Sequence, residues 1–231
     1  VLEQGHADMW DSGRMETEQS VLYAYKGKAL KSFATYYWRV RSWNDQGEVS
    51  AWSPTAHFTM GILNAADWNG AVWIGLEKDN PKNRYVRGHE NTRDIPGYKE
   101  MKSYKMPQLR KEIKVNKTIK KAVAYVSGLG QFEFFLNGKK VGNHYVDPGW
   151  THYDSLALYV SFDVTRMLTT GINTLGVMLG GGFYSAEPVD PTKRYIKIFS
   201  NYGAPKMKMD LHVEYVDGSV ADFVSDKTWK A

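Results

Sequence analysis

Apolar and polar side chains alternate with a period of two along much of the chain, while the 3.6-residue period of an amphipathic helix is scarce. From Met207 to Tyr215 the odd positions are Met207, Met209, Leu211, Val213 and Tyr215, and Lys208, Asp210, His212 and Glu214 face the other way. That pattern predicts a strand with one buried and one solvated face. Asp217-Gly218 tolerates positive φ and turns the chain into a returning strand around Val220 to Val224. Phe132, Phe134 and Leu136 alternate with Gln131, Glu133 and Phe135 before Asn137-Gly138, a second hairpin signal of the same type. Leu175, Val177 and Leu179 repeat the alternation. The best helical candidate is one turn at Asp163 to Leu168, with Asp163 as its cap. These patterns predict an all-β protein.

A boundary is predicted near Gly61 to Trp68, separating residues 1–62 from residues 63–231. Before it, Tyr36, Trp38 and Val40 alternate with Tyr37, Arg39 and Arg41, as on a sandwich strand with one buried face. Asn44-Asp45-Gln46-Gly47 then turns the chain into a segment carrying Trp52, Ser53, Pro54 and Phe58. A complete two-sheet sandwich of this kind needs about seven strands and ~100 residues. Residues 1–62 are too few, so they read as the last strands of a sandwich cut at Val1, with an edge that weakens this part or pairs with a neighbour. Between Glu77 and Gln108, Pro81, Gly88, Pro96, Gly97 and Pro107 break any regular element, while Arg84, Arg87, Arg93, Lys99, Lys102 and Lys105 add positive charge. A basic loop insertion at residues 77–108 is the expectation, either functional or merely solvated.

Composition narrows the function classes. The 231 residues are 42% hydrophobic and 24% charged, as in an ordinary folded domain. No stretch approaches the ~20 apolar residues of a transmembrane helix, so no membrane span is expected. Cysteine is absent, which removes disulfides, thiolate zinc sites and cysteine nucleophiles together. The aromatic share of 14%, with 8 Trp and 15 Tyr, suits both packed sheets and the flat faces that stack on sugars. A net charge of +5, with Lys111, Lys114, Lys117, Lys120 and Lys121 in one stretch, invites a nucleic-acid reading. The acidic count is nearly as high and no recognition helix or RNA-binding sheet signature occurs, so no nucleic-acid partner is expected.

Catalytic constellations are missing. Gly128-Leu129-Gly130 lacks a third glycine, and Gly180-Gly181-Gly182 opens no helix, so neither cradles a phosphate. The six histidines never take the paired spacing of zinc hydrolases, and no nucleophile elbow exists. Asp147 and Asp154 share one loop, but sheets carry many exposed carboxylates and nothing singles this pair out as acid and base. No catalytic residue is assigned.

An ordered set of signatures runs through the whole chain. It begins with Met9-Trp10-Asp11-Ser12-Gly13 and Tyr36-Tyr37-Trp38-Arg39-Val40-Arg41, followed by Asp67-Trp68, Trp73-Ile74-Gly75 and Leu109-Arg110-Lys111. Val126 to Glu133, Leu136-Asn137-Gly138, Pro148 to Tyr153 and Phe162-Asp163-Val164-Thr165 come next. Gly180-Gly181-Gly182-Phe183-Tyr184, Tyr215 to Ser219 and Asp226 to Ala231 complete it. Together they resemble the N-terminal, non-catalytic region of bacterial α-L-rhamnosidases, glycoside hydrolase family 78. Residues 1–62 are similar to the end of a fibronectin type III sandwich, with Tyr37-Trp38-Arg39-Val40-Arg41 and Ser50-Ala51-Trp52-Ser53, and the resemblance implies a jelly-roll sandwich for residues 63–231. Phe183 stands where family members often carry Trp.

The resemblance also carries functional expectations. In that family the acid and base carboxylates sit in an (α/α)6 barrel further along, so this segment implies an accessory role beside that barrel, a rhamnose-containing glycoside as partner, and a periplasmic or secreted location. On the sandwich, Pro148 and Gly149 force a loop that lets Trp150 and Tyr153 present ring faces, with Asp147 and Asp154 able to accept hydroxyl protons. Trp150, Tyr153, Asp147, Asn137 and Tyr184 are the candidate carbohydrate-binding residues, Gly180 to Gly182 bringing backbone close to Tyr184. The structural alternative is that Trp150 and Tyr153 plug the core and Asn137 merely serves its turn. No cofactor is expected; loop carboxylates at a sandwich edge suit Ca2+, without a pattern that names ligands. A purely structural spacer that docks on the barrel is the alternative role.

Overall fold

The structure, a computed structural model, describes residues 6–19, 21–80, 85–88, 103–186 and 198–231. Among the described residues the regular elements are strands apart from one 3-10 turn, Ala65–Trp68. Two compact units divide the chain, Val1–Asp67 and Trp68–Ala231.

In the first unit β1 (Thr35–Trp38) pairs antiparallel with β2 (Ala56–Thr59), from Thr35 opposite Thr59 to Trp38 opposite Ala56. The predicted turn forms: Asn44 Oδ1 accepts the Gln46 and Glu48 amides at 3.1 and 2.8 Å, and Gly47 takes φ 82°. The predicted buried face does not. Trp38 and Val40 are exposed, and Ile62 is the buried residue among those described in this unit. Among the described residues of this unit there is no second sheet for these four-residue strands to pack against. Tryptophan rings are instead covered by guanidinium groups, Arg39 and Arg41 each 4.5 Å from the Trp52 ring and Arg41 5.2 Å from that of Trp43.

The second unit packs two four-stranded antiparallel sheets around one core. One sheet has the order β12-β11-β5-β8, from β12 (Val220–Val224), β11 (Lys206–Tyr215), β5 (Ile119–Leu129) and β8 (Tyr159–Asp163). The other runs β4-β9-β6-β7, from β4 (Gln108–Val115), β9 (Gly171–Gly180), β6 (Gln131–Leu136) and β7 (Lys139–Lys140). The alternation read from the sequence is the packing pattern. Met207, Met209, Leu211 and Val213 meet Phe132, Phe134, Leu136, Leu175, Val177 and Leu179 in a single buried cluster. Asp163 closes the one-turn candidate, its Oδ1 accepting the Thr165 amide at 3.0 Å.

Two details differ from the sequence reading. The two hairpin signals form different turns. Asn137 and Gly138 both have positive φ, 52° and 77°, in a two-residue loop of the I′ kind. At Asp217-Gly218 only the glycine does, at 82°, and Tyr215 exchanges bonds with Gly218 and Ser219 across a three-residue loop. The Asp217 carboxylate accepts the Ser219 amide at 3.0 Å, which holds Asp217 out of the left-handed region. Secondly, a strand interrupts the stretch expected to be an irregular loop: β3 (Tyr85–Gly88) pairs with β10 (Ile198–Asn201). Four residues are too short for a period of two to register. Arg84, Arg93, Lys99 and Lys102, part of the basic load of that stretch, lie outside the described residues.

Candidate functional site

The corner between β5 and β6 is a single residue, Gly130, at φ 106°. A Cβ there would overlap the Gly180 carbonyl oxygen and lie 3.1 Å from that of Gly181. Glycine at this point therefore lets the corner close on the end of β9, where Gly180-Gly181-Gly182 leads into Phe183 and Tyr184. The loop after β7 joins the same corner, because Phe132 bridges to Asp147. Pro148, joined to Asp147 by a cis peptide bond, is buried.

From this base the loop and the glycine segment bring two pairs of rings together. Trp150 lies 5.1 Å from Phe183, centroid to centroid and tilted by 33°. Both are open to solvent, at 69% and 53% exposure, so Trp150 is not a core plug. Three residues on, Tyr153 meets Tyr184 edge-on at 5.2 Å and Tyr202 at 5.4 Å, while Tyr184 and Tyr202 stack at 5.6 Å and 14°. Tyr184 is buried at 7% exposure and Tyr153 half-buried. Burial, and then the neighbouring Tyr202, push the Tyr153 phenol above its ordinary range, so it stays a neutral hydroxyl. The arrangement is an open aromatic step standing on a fixed tyrosine cluster.

The polar candidates divide. Asp147 is on the loop beside Trp150, its side chain one-fifth exposed and its Oδ2 3.2 Å from His144 Nδ1. Asp154 is exposed next to Tyr153. Asn137 is occupied in tying its turn to β9: Nδ2 donates to Asn173 Oδ1 at 2.9 Å, and Oδ1 accepts the Thr174 amide at 2.8 Å. Phe183 and Tyr202 belong with these candidates, beyond the five that the sequence pattern marks. Phe183 was recognisable as the aromatic neighbour of Tyr184. Tyr202 had no signal, since its contact depends on β10 returning beside Tyr184, whose carbonyl accepts the Tyr202 amide at 2.8 Å. Among the described residues no group of three or more His, Asp or Glu side chains is placed to hold a metal ion.

Comparison with known proteins fits this layout. The family profile described as the α-L-rhamnosidase N-terminal domain matches residues 117–231, and the Rha78A-like, N-terminal immunoglobulin domain profile matches residues 1–64. An α-L-rhamnosidase of Formosa agariphila is 37% identical over 99% of this chain. The chain belongs to the N-terminal region of the family 78 α-L-rhamnosidases. Solved rhamnosidase structures share its architecture. That from Dictyoglumus thermophilum superposes over 99% of the chain with a TM-score of 0.78 at 31% identity, and that from Aspergillus terreus over 96% with 0.72 at 28%. The chain spans 24% of the length of the Formosa relative and of each of these two rhamnosidases. The first unit matches an immunoglobulin profile where the sequence suggested fibronectin type III, two versions of the same sandwich architecture.

Proposed function

We propose that this segment serves a parent α-L-rhamnosidase, one that removes terminal α-L-rhamnose from glycosides, as an accessory module, and that its aromatic edge receives a rhamnose-containing glycoside. Bond cleavage belongs to a carboxylate pair elsewhere in the parent, since glycoside hydrolysis needs two carboxyl groups flanking one bond. The observation carrying the reading is the Trp150–Phe183 step: two large rings left open to water, 5.1 Å apart, on a backbone fixed from beneath. Stacking on a pyranose face uses the indole surface, and the Asp147 carboxylate supplies directional acceptance of sugar hydroxyls. A parent acting on oligosaccharides would work in the periplasm or outside the cell.

Titration of the chain with L-rhamnose and rhamnosylated oligosaccharides, followed by tryptophan fluorescence, tests the reading. Saturable quenching that disappears in a folded Trp150→Ala variant is expected. No saturable change up to millimolar sugar would overturn it. One observation favours a second reading: Val146, Leu156 and Leu158 on the same loop are also exposed. Aliphatic side chains suit a polypeptide partner better than a sugar, and the rest of the parent chain is that partner if the edge is a docking surface.

A further inference from the structure

Asp210 lies on β11 among the residues directed away from the core, yet it is fully buried. Its cover is the turn Trp68-Asn69-Gly70-Ala71, in which the Ala71 amide donates to the Trp68 carbonyl at 2.8 Å. Asn69 and Gly70 take φ 52° and 82°, the I′ pattern that asparagine and glycine tolerate. At the tip, Asn69 Nδ2 donates to Asp210 Oδ2 at 2.8 Å, while Asp210 Oδ1 is buried without a hydrogen-bond partner. Trp68 seats the turn, its ring 4.6 Å from Lys208 Nζ and edge-on to Tyr159 at 5.8 Å.

A carboxylate removed from water with a single donor is costly to ionise. The surrounding groups compensate only in part, through the Asn69 bond and the His212 ring. From β11 it is faced by Lys208, His212 and Glu214, from β12 by Asp222, from β5 by Tyr125 and from β8 by Tyr159; the turn itself carries no titratable side chain. The Lys208 ammonium is drawn over Trp68, and His212 Nδ1 is 2.6 Å from Asp222 Oδ1. Burial first, then the Asp222 charge, push the Asp210 carboxyl up to about 7.

We propose that Asp210 and the Trp68–Ala71 turn form a proton-operated latch on the outer face of this sheet. With Asp210 neutral the turn is seated; with Asp210 ionised the turn lifts, water reaches the carboxylate, and Tyr125 and Tyr159 are uncovered. Latch opening is linked to the proton because the lifted state holds Asp210 as an ordinary solvated carboxyl.

Hydrogen exchange at the Ala71 and Val72 amides of the chain, corrected for intrinsic rates, tests this. Between pH 5.5 and 8.5 protection is expected to fall by about 30-fold, the ratio set by the two proton affinities. Asp210→Asn should hold protection constant across that range, and Asn69→Ala should lower it already at pH 5.5. A fall of less than threefold in the unaltered chain, or the same pH dependence in Asp210→Asn, would overturn the latch. Should Asp210→Asn not fold, carbon-detected NMR titration of the Asp210 carboxyl in the unaltered chain decides: a midpoint that tracks the loss of protection supports it, and one near 4 contradicts it.

Discussion

Gly130 provides the sharpest mutational test of how the aromatic edge is built. Alanine at φ 106° must adopt a backbone conformation that L side chains avoid, at about 1–3 kcal/mol. Its methyl would also overlap the Gly180 carbonyl oxygen. Main-chain atoms cannot rotate aside as a side chain can, and forced overpacking adds about 1–3 kcal/mol. Gly130→Ala should therefore cost about 4 kcal/mol. Gly138 is the control: its φ is also positive, at 77°, but an added Cβ meets nothing within 4 Å. Gly138→Ala should cost only about 1–2 kcal/mol. In a unit the size of Trp68–Ala231, each kcal/mol lowers Tm by about 2–4 °C. Thermal unfolding followed by circular dichroism should place Gly130→Ala roughly 8–16 °C below the unaltered chain and Gly138→Ala within about 8 °C of it. Equal losses at the two positions would refute the close approach of the β5–β6 corner to β9.

Other consequences can be measured on the same chain. Asp210 has a folded-state pKa raised to about 7, so its contribution to stability is complete below about 4 and is lost as pH rises to about 7. The difference in urea-unfolding free energy between the unaltered chain and Asp210→Asn should accordingly change by roughly 3–4 kcal/mol over that window, favouring the carboxyl at low pH. Phe134→Ala empties a fully buried site shared by both sheets and should cost about 3–5 kcal/mol in the same assay. Asn137→Ala removes three side-chain bonds, that to the Met167 carbonyl long at 3.4 Å, and forces alanine into φ 52°, for about 2–3 kcal/mol. Trp150→Ala, at an exposed ring, should leave Tm within about 2 °C.

The second unit was readable because its strands are long and half-buried. Eight to eleven residues in β4, β5, β9 and β11 give a period of two room to show, and both hairpin dipeptides lie where the chain reverses. Asp210 was misread for a related reason. Alternation assigned it to the solvated face, but the turn that covers it comes from residues 68–71, and its hydrogen-bond partner Asn69 lies 141 positions away along the chain. The exposed Trp38 and Val40 show the converse: alternation marks a face able to be buried, and a second sheet must exist to bury it. At the candidate site, Trp150, Tyr153 and Tyr184 were visible as aromatics beside Pro and Gly. Their pairing with Phe183 and Tyr202 depends on loop geometry and strand return, which carry no local signature.

The central claim, a sugar-receiving aromatic edge on a non-catalytic sandwich, is most directly tested at the Trp150 indole. Its Nε1–H resonance and the Phe183 ring signals, followed by NMR while methyl α-L-rhamnoside is added, should shift together and saturate, with the core signals of Phe134 and Leu175 unmoved. Shifts confined to other aromatics, or none at all in the folded chain, would contradict the account.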